Sequence, residues 1–334
     1  MIQNGEVVAF PTETVYGLGA DALNAEAVDK IFVAKGRPSN DPFIIHLSDP
    51  TQLNRVARAI PRAAYPLIEK FWPGPLTLIL SRSENLPLNV TARLPTVAVR
   101  MPAHPVAVEL IRLSGVPIAA PSANRFAYTS PTTAAHVYAD LAGRIPLILD
   151  GGASTIGVES TIVDLGEGRP RLLRPGGVTA EQLRSLLPNL EVVERYITPE
   201  SVGALTAPGQ LLKHYAPTAE LWVVEGDYPA MMEMLRREVE KRVAAGQKAG
   251  VLIGEGDQAL FQGLEIEVEV LGDALSVIAQ RLFGALRRLD ERGVGVIFAR
   301  SFPQIGIGLA IRDRLFRAAS GRVMLASKNP PFLE

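Results

Sequence analysis

Short apolar runs alternate with stretches of helical periodicity over the first half of this chain, and links of a few residues join them. That alternation leaves little room for anything but an α/β sheet with helices on its faces. Strands are predicted at 7–10, 43–47, 76–80, 97–100, 116–120, 145–149 and 157–165. Helices are predicted at 25–34, 51–59, 62–71, 104–113, 132–141 and 179–187, with Ser130 as N-cap ahead of Pro131. The periodicity fades from Tyr196 to about Thr218, and a second, smaller α/β pattern follows. It has strands at 221–225, 249–253, 265–271 and 294–298, and helices at 229–245, 273–292 and 311–319. The expected organisation is a first domain over 1–203, a linker over 204–219 and a small C-terminal domain over 220–334.

Residues 10–41 carry the densest chemistry. Pro11 has no N–H for a sheet ladder, so the first strand stops there. Thr12 and Thr14 follow, then Gly17 and Gly19, where bare backbone allows a close approach. Asn24 suits an N-cap, Val28, Ile31 and Phe32 share a helical face, and Gly36 with Pro38 closes the helix. Lys35 and Arg37 thus stand where the helix ends, able to swing towards the 12–19 turn. Hydroxyls, backbone amides and two cations around one turn suit an anion. Local explanations also exist: Lys35 complements the helix dipole, and Arg37 suits a solvated loop. The run Gly17-x-Gly19-x-x-Ala22 loosely matches a dinucleotide fingerprint. Against that, six residues separate Phe10 from Gly17, and Asp41 precedes the next strand instead of closing it.

Several predicted strand ends are polar and bounded by Pro or Gly: Pro11-Thr12, Arg100-x-Pro102, Pro121-Ser122-x-Asn124, Glu159-Ser160-Thr161 and Arg174-Pro175-Gly176. In an open α/β sheet such ends gather on one edge, where ligands bind. Each has an ordinary reading as a turn, a cap or an ion pair; with Lys35 and Arg37 they point to one shared site. Other chemistries fit poorly. There is no G-x-x-x-x-G-K-[ST] and no G-x-S-x-G elbow, and the four histidines lack metal-ligand spacing. Of these, His46 ends a strand and is the best placed to meet a substrate. Cysteine is absent, which removes disulfides and thiolate chemistry, and a formal net charge of −1 gives no global field towards nucleic acid or membrane. No apolar run approaches a membrane span, and residues 1–5 carry no basic or apolar leader, so a cytoplasmic location is expected.

Taken together, PTETVYGLGAD, the K-x-R-P of Lys35 to Pro38, the S-x-N of Ser122 to Asn124, GVESTI, LLRPG and HYAP resemble the threonylcarbamoyladenylate synthase family. The ordered set spans essentially the whole chain. Each motif is weak alone; the set is specific. The resemblance implies a YrdC-like catalytic domain with a twisted, open mixed sheet, and then a smaller Rossmann-like α/β domain. It implies a nucleotidyltransferase that joins L-threonine, bicarbonate (or CO2) and ATP into threonylcarbamoyl-AMP and pyrophosphate, with Mg2+ on the phosphates. Partner proteins would pass the threonylcarbamoyl group to a tRNA adenosine; direct tRNA contact is left open.

Carried over by motif, Lys35 and Arg37 would be the catalytic cations. ATP would be held by these two with Asp41, Thr96, Ser122, Asn124, Ser130, Arg174 and Tyr215. L-threonine would be held by Thr12, His46, Arg100 and Ser160, with Arg100 on its carboxylate. No protein-held metal is implied. Two departures stand out: the first strand follows Met1 almost directly, and Gln210-Leu211-Leu212 replaces a more polar, aromatic stretch. The apolar linker, with Tyr215, is expected to close over the occupied site as a lid. The competing reading is an RNA-binding module without catalysis, but basic runs are lacking and aromatics amount to only 6%. A dehydrogenase is disfavoured by the fingerprint mismatch.

Overall fold

The computed structural model describes residues 1–166, 168–193 and 211–326. They form two compact units, one of Met1–Phe126 with Ser130–Leu211, the other of Ala127–Thr129 with Leu212–Glu334. The expected boundary at 203 and the first part of the expected linker lie outside the described residues.

The first unit holds strands β1 (Val8–Phe10), β2 (Gly17–Asp21), β3 (Ile44–His46), β4 (Ala57–Arg58), β5 (Leu76–Arg82), β6 (Thr96–Arg100), β7 (Ile118–Ala119), β8 (Thr161–Asp164), β9 (Arg171–Arg174) and β10 (Glu191–Val192). They make one mixed sheet in the order β1-β2-β7-β3-β6-β5-β8-β9-β10, with β4 paired to β5. Its helices are α1 (Ala25–Lys35), α2 (Leu53–Val56), α3 (Ala64–Phe71), α4 (Pro105–Ser114), α5 (Ala134–Leu141) and α6 (Ala180–Arg184).

Alternation along the strands sorts two faces. Leu76, Leu78 and Leu80 of β5, Val97 and Val99 of β6 and Ile45 of β3 join the main core with Val28 and Ile31 of α1 and Leu67 of α3. The opposite face carries two smaller apolar clusters, one of Val8, Phe10, Ile118 and Ala120 packed on Ala107 and Ile111 of α4, the other of Ile44, Ile79, Ala98, Ile162 and Leu173. His46, Thr77 and Arg100 share that second face.

Helix α1 is capped as its sequence requires. Asn24 accepts from Ala27 N–H, and Gly36 ends it at φ 64°. Four expectations are corrected. Residues 17–21 are a strand and not part of a turn: Val8 pairs with Gly19 and Phe10 with Gly17. A Cβ on Gly19 would sit 2.7 Å from Phe10 Cε1 and Ile118 Cγ2, so this bare backbone receives an aromatic ring of the chain itself. Ser130 does not cap α5; Thr133 does, accepting from His136 N–H. No strand forms over 145–149, where only Ile148 bridges to Ala9, because Pro146 cannot donate to a ladder. Within 51–59 the α-helix is confined to α2, and Ala57 and Arg58 are recruited by the long strand β5.

The second unit is a five-stranded sheet of β11 (Glu220–Gly226), β12 (Ala249–Ile253), β13 (Glu267–Val270), β14 (Val296–Arg300) and β15 (Val323–Ala326), in the order β13-β12-β14-β11-β15. Every pair is parallel, and α7 (Tyr228–Ala244), α8 (Leu275–Glu291) and α9 (Gly308–Ala318) make the crossovers. The last strand, β15, was not anticipated, because Val323-Met324-Leu325-Ala326 is too short to show a period.

Gly19→Ala is expected to lower stability by roughly 1–3 kcal/mol through overpacking of Phe10 and Ile118. Urea unfolding of the two proteins measures it, and equal midpoints would contradict the packing role of Gly19.

Candidate active site

Strand register assembles the site. His46 of β3 pairs with Arg100 of β6, Arg100 with Thr77 of β5, Thr77 with Ile162 of β8, and Ile162 with Arg174 of β9. Directly paired residues share a face, so His46, Arg100, Thr77 and Arg174 form one row across five adjacent strands. Residues 23 to 128 positions apart in sequence thereby fall in one row.

Arg100 is 2% exposed. Its Nη1 donates to Thr14 Oγ1 at 2.9 Å, and Nη2 lies 2.8 Å from Glu13 Oε1. Burial lowers its pKa, and the Glu13 carboxylate works against that. Nη2 is committed to Glu13, whereas Nε has no hydrogen-bond acceptor, so the guanidinium keeps one donor in hand. The chain of donors continues inward, with Thr14 Oγ1 2.8 Å from Thr12 Oγ1 and Thr12 donating to Val15 O at 2.6 Å. The Thr12 hydroxyl, which also accepts from two backbone amides, is committed to shaping the loop between β1 and β2.

Beside Arg100, His46 Nδ1 lies 3.2 Å from Ile44 O, and its ring stands edge-on to Phe10. Burial, then the Arg100 charge, pushes its pKa down from 6.5 to about 3. The imidazole is neutral at ordinary pH. Further along, Arg174 donates from Nε to Ser160 O at 3.0 Å and from Nη2 to Ser160 Oγ at 3.1 Å. Ser160 Oγ also lies 2.8 Å from Thr77 Oγ1. The turn after Arg174 packs so closely that a Cβ on Gly176 would collide with Glu159 O, Ser160 C and Thr161 N. Glycine there lets β9 hold Ser160 in place.

A second cluster surrounds the end of α1. Lys35 is buried, and its Nζ donates to Ser122 O at 2.6 Å, Asn124 O at 2.5 Å and Asn124 Oδ1 at 3.3 Å. It therefore reaches the turn that follows β7, not the 12–19 segment expected from its position. Arg37 departs from that expectation too: Nη2 pairs with Asp41 Oδ1 at 2.9 Å and donates to Pro42 O at 3.0 Å, and the guanidinium lies over Phe43. Burial drives the Lys35 pKa well below the ordinary lysine value, and the Arg37 charge adds to it. Burial raises that of Asp41, against the pull of Arg37, Lys35 and Arg174. Those three cations act on one fully buried carboxylate.

Ser122 Oγ donates to Asn124 Oδ1 at 2.5 Å, and Ser130 Oγ donates to Glu159 Oε1 at 2.5 Å. Thr96 opens β6, four residues before Arg100 and so about 13 Å from it along the strand. It borders a small recess with Pro42, Phe43 and Ile79. Tyr215 belongs to the second unit, where its buried ring sits 5.5 Å from Phe283 and under the Arg314 guanidinium.

Glu13, Thr14, Thr77 and Glu159 also bond the candidate residues, and none of the four is among those the sequence assigned to ATP or threonine. Thr77 had a signal, a lone hydroxyl in the apolar strand LTLIL. Glu13, Thr14 and Glu159 stood inside recognised motifs. Among the described residues no three His, Asp or Glu side chains gather as a metal cage, and no helix is long and apolar enough to cross a membrane.

The second unit has its own ligand-type crevice, between β12 and β14, where the chain changes direction across the sheet. It is filled from within. Asp257 Oδ2 accepts from Gly254 N–H at 2.8 Å, Asp273 Oδ1 accepts from Glu255 N–H at 3.1 Å, and Arg300 pairs with Asp257. Carboxylates of the chain occupy the amides a pyrophosphate would use.

The fold and the buried cations define a two-unit α/β protein whose first sheet presents a face suited to acidic small molecules. Comparison with known proteins sharpens that. A family model described as "Telomere recombination" (Sua5, YciO, YrdC) matches residues 1–176, and one described as "Threonylcarbamoyl-AMP synthase, C-terminal domain" matches 178–320. The chain is 47% identical over 327 residues to the threonylcarbamoyl-AMP synthase of Pyrococcus abyssi, covering 97% of this chain and 93% of the relative. It is 46% identical to that of Bacillus subtilis, covering 97% and 92%. The crystal structure of P. abyssi Sua5 complexed with L-threonine superposes with a TM-score of 0.92 at 45% identity, over 98% of this chain and 94% of that one. The chain belongs to the threonylcarbamoyl-AMP synthase family.

A histidine whose folded pKa lies near 3 and whose unfolded value is 6.5 binds its proton only in the unfolded state between those limits. Its contribution to stability is complete above pH 6.5 and is lost as pH falls towards 3, by roughly 1 kcal/mol per pH unit. His46→Gln is expected to remove that component. Urea unfolding of both proteins from pH 7 to 5 checks it, and parallel pH profiles would contradict a neutral buried His46.

Proposed function

We propose that this chain makes threonylcarbamoyl-AMP and pyrophosphate from L-threonine, bicarbonate or CO2, and ATP. The observation that carries this reading is Arg100: a buried guanidinium whose Nε has no partner within the chain, in a family with a relative solved in complex with L-threonine. A forked cation is the natural receptor for an amino-acid carboxylate. Neutral His46 and Ser160 flank it, and with Thr12 behind Arg100 they make the threonine end. Lys35, Arg37, Asp41, Ser122, Asn124, Ser130, Arg174, Thr96 and Tyr215 make the nucleotide set. Lys35 favours an anion on physical grounds, since the atoms it touches are neutral oxygens and the Asp140 and Asp41 carboxylates do not outweigh its burial.

The reaction asks little acid–base work of the protein. The threonine amine adds to CO2 and releases a proton to solvent, giving a carbamate. A carbamate oxygen then bonds to the α-phosphorus as the bond to the pyrophosphate oxygen breaks, which makes the enzyme a nucleotidyltransferase. Every partner is anionic, so rate comes from alignment and from cations where charge develops. Mg2+ belongs to the substrate, entering on the ATP phosphates, as is usual for this ion. The product is a reactive acyl-adenylate, consumed by proteins that transfer threonylcarbamoyl to a tRNA adenosine in the same, cytoplasmic compartment.

Pyrophosphate release from ATP that depends on both threonine and bicarbonate tests the proposal; release indifferent to threonine would overturn it. Arg100→Ala is expected to raise the threonine KM about tenfold or more, the loss of a charged hydrogen bond, with a small change for ATP. Lys35→Ala is expected to lower kcat by a factor of about 10²–10³ in a protein that still folds. A raised ATP KM in the first variant, or a normal kcat in the second, would reassign those residues.

A further inference from the structure

Thr77 is a hydroxyl without an ordinary reason to be where it is. It is the second residue of the apolar strand β5, its side chain is fully buried, and its one hydrogen-bonding partner is Ser160 Oγ at 2.8 Å. Ser160 Oγ already accepts from Arg174 Nη2 at 3.1 Å, and a guanidinium only donates. Two arrangements of the remaining protons exist. If Ser160 donates to Thr77, the buried Thr77 proton finds no second acceptor among the chain's own atoms, which is costly. If Thr77 donates to Ser160, the serine oxygen has accepted twice, and its own proton is released for a third partner. That arrangement is satisfied only when an acceptor oxygen lies beside Ser160.

Strand register says what kind of oxygen that is. Thr77 is paired directly with Arg100 on β6, and one position further along the row is Ile162, paired with Arg174. An acceptor beside Ser160 sits between two guanidinium groups, a place that selects an anionic oxygen. We propose that Thr77 is a positioning residue that obliges Ser160 to donate its proton to a carboxylate or carbamate oxygen of the threonine-derived substrate. The inference rests on the proposed function. It adds a residue that does not touch substrate, and it adds a direction to the Ser160 hydrogen bond.

A double-mutant cycle separates this role from a structural one. Thr77→Val keeps the shape and removes the hydroxyl; it should leave the thermal midpoint unchanged or higher, since valine suits a buried strand. The threonine KM should rise by roughly tenfold, the scale of one hydrogen bond, with the ATP KM unchanged. Thr77→Ser should restore the wild-type value. In a Ser160→Ala background, Thr77→Val should add almost nothing, because the proton it directs is gone. An unchanged threonine KM in folded Thr77→Val, or effects that simply add, would overturn the inference and leave the enzyme assignment standing. Wild-type protein that shows no threonine dependence at all would overturn both.

Discussion

A lysine ammonium buried among neutral oxygens is the constraint around which the first unit is arranged. Lys35 gives its protons to two carbonyls and an amide oxygen, which orient the charge without neutralising it. Burial and the neighbouring Arg37 lower its pKa, opposed by the more distant Asp140 and Asp41. An interior that holds such a group does so at a cost in stability. The helix end, the turn after β7 and the Arg37–Asp41 pair all exist at fixed distances from that ammonium. Lys35 is part of α1 itself, so the capping of the helix by Asn24 and Gly36 also aims the charge.

The same economy appears at Arg100. Its buried charge is met by Glu13 and by a relay of threonine hydroxyls that ends on a backbone carbonyl. Glu13 and that relay engage both terminal nitrogens of the guanidinium and leave Nε without an acceptor. The six-residue loop Pro11 to Tyr16 thus holds the Arg100 charge in place. Preorganisation of this kind lets binding energy go into alignment of the reacting groups instead of into ordering the site. Glu13, ordinary in sequence, is the group that keeps Arg100 buried and in place.

The two sheets illustrate why fold class and function separate. The second unit has the parallel strands and the change of direction that create a ligand crevice in many α/β proteins, yet Asp257, Asp273 and Arg300 close it with internal bonds. In the first unit a row of polar side chains, His46, Arg100 and Thr77, runs between two apolar clusters on one sheet face. Chemistry follows the side chains that are buried with donors to spare, and these are in the mixed sheet.

Much of this could be read from the residues. The alternation of strands and helices, the ends of α1, and most of the site set (Lys35, Arg37, His46, Ser122, Asn124, Arg100, Ser160 and Arg174) follow from local rules: Pro ends strands, Gly ends helices, and polar residues collect at strand ends. Those rules act over a few residues, so the sequence carries them openly. The partnerships were not legible. That Lys35 reaches Ser122 and Asn124, that Ser130 bonds Glu159 instead of capping α5, and that Gly19 makes room for Phe10 are all consequences of which strands lie side by side. Pairing between distant strands is set by how the whole sheet buries its apolar face, a sum over many weak contacts that no short stretch records. By itself the sequence determined the elements and the kind of chemistry; the tertiary structure decided which groups share a proton or a charge, because strand register alone puts Arg100 beside Thr77 and Thr77 within reach of Ser160.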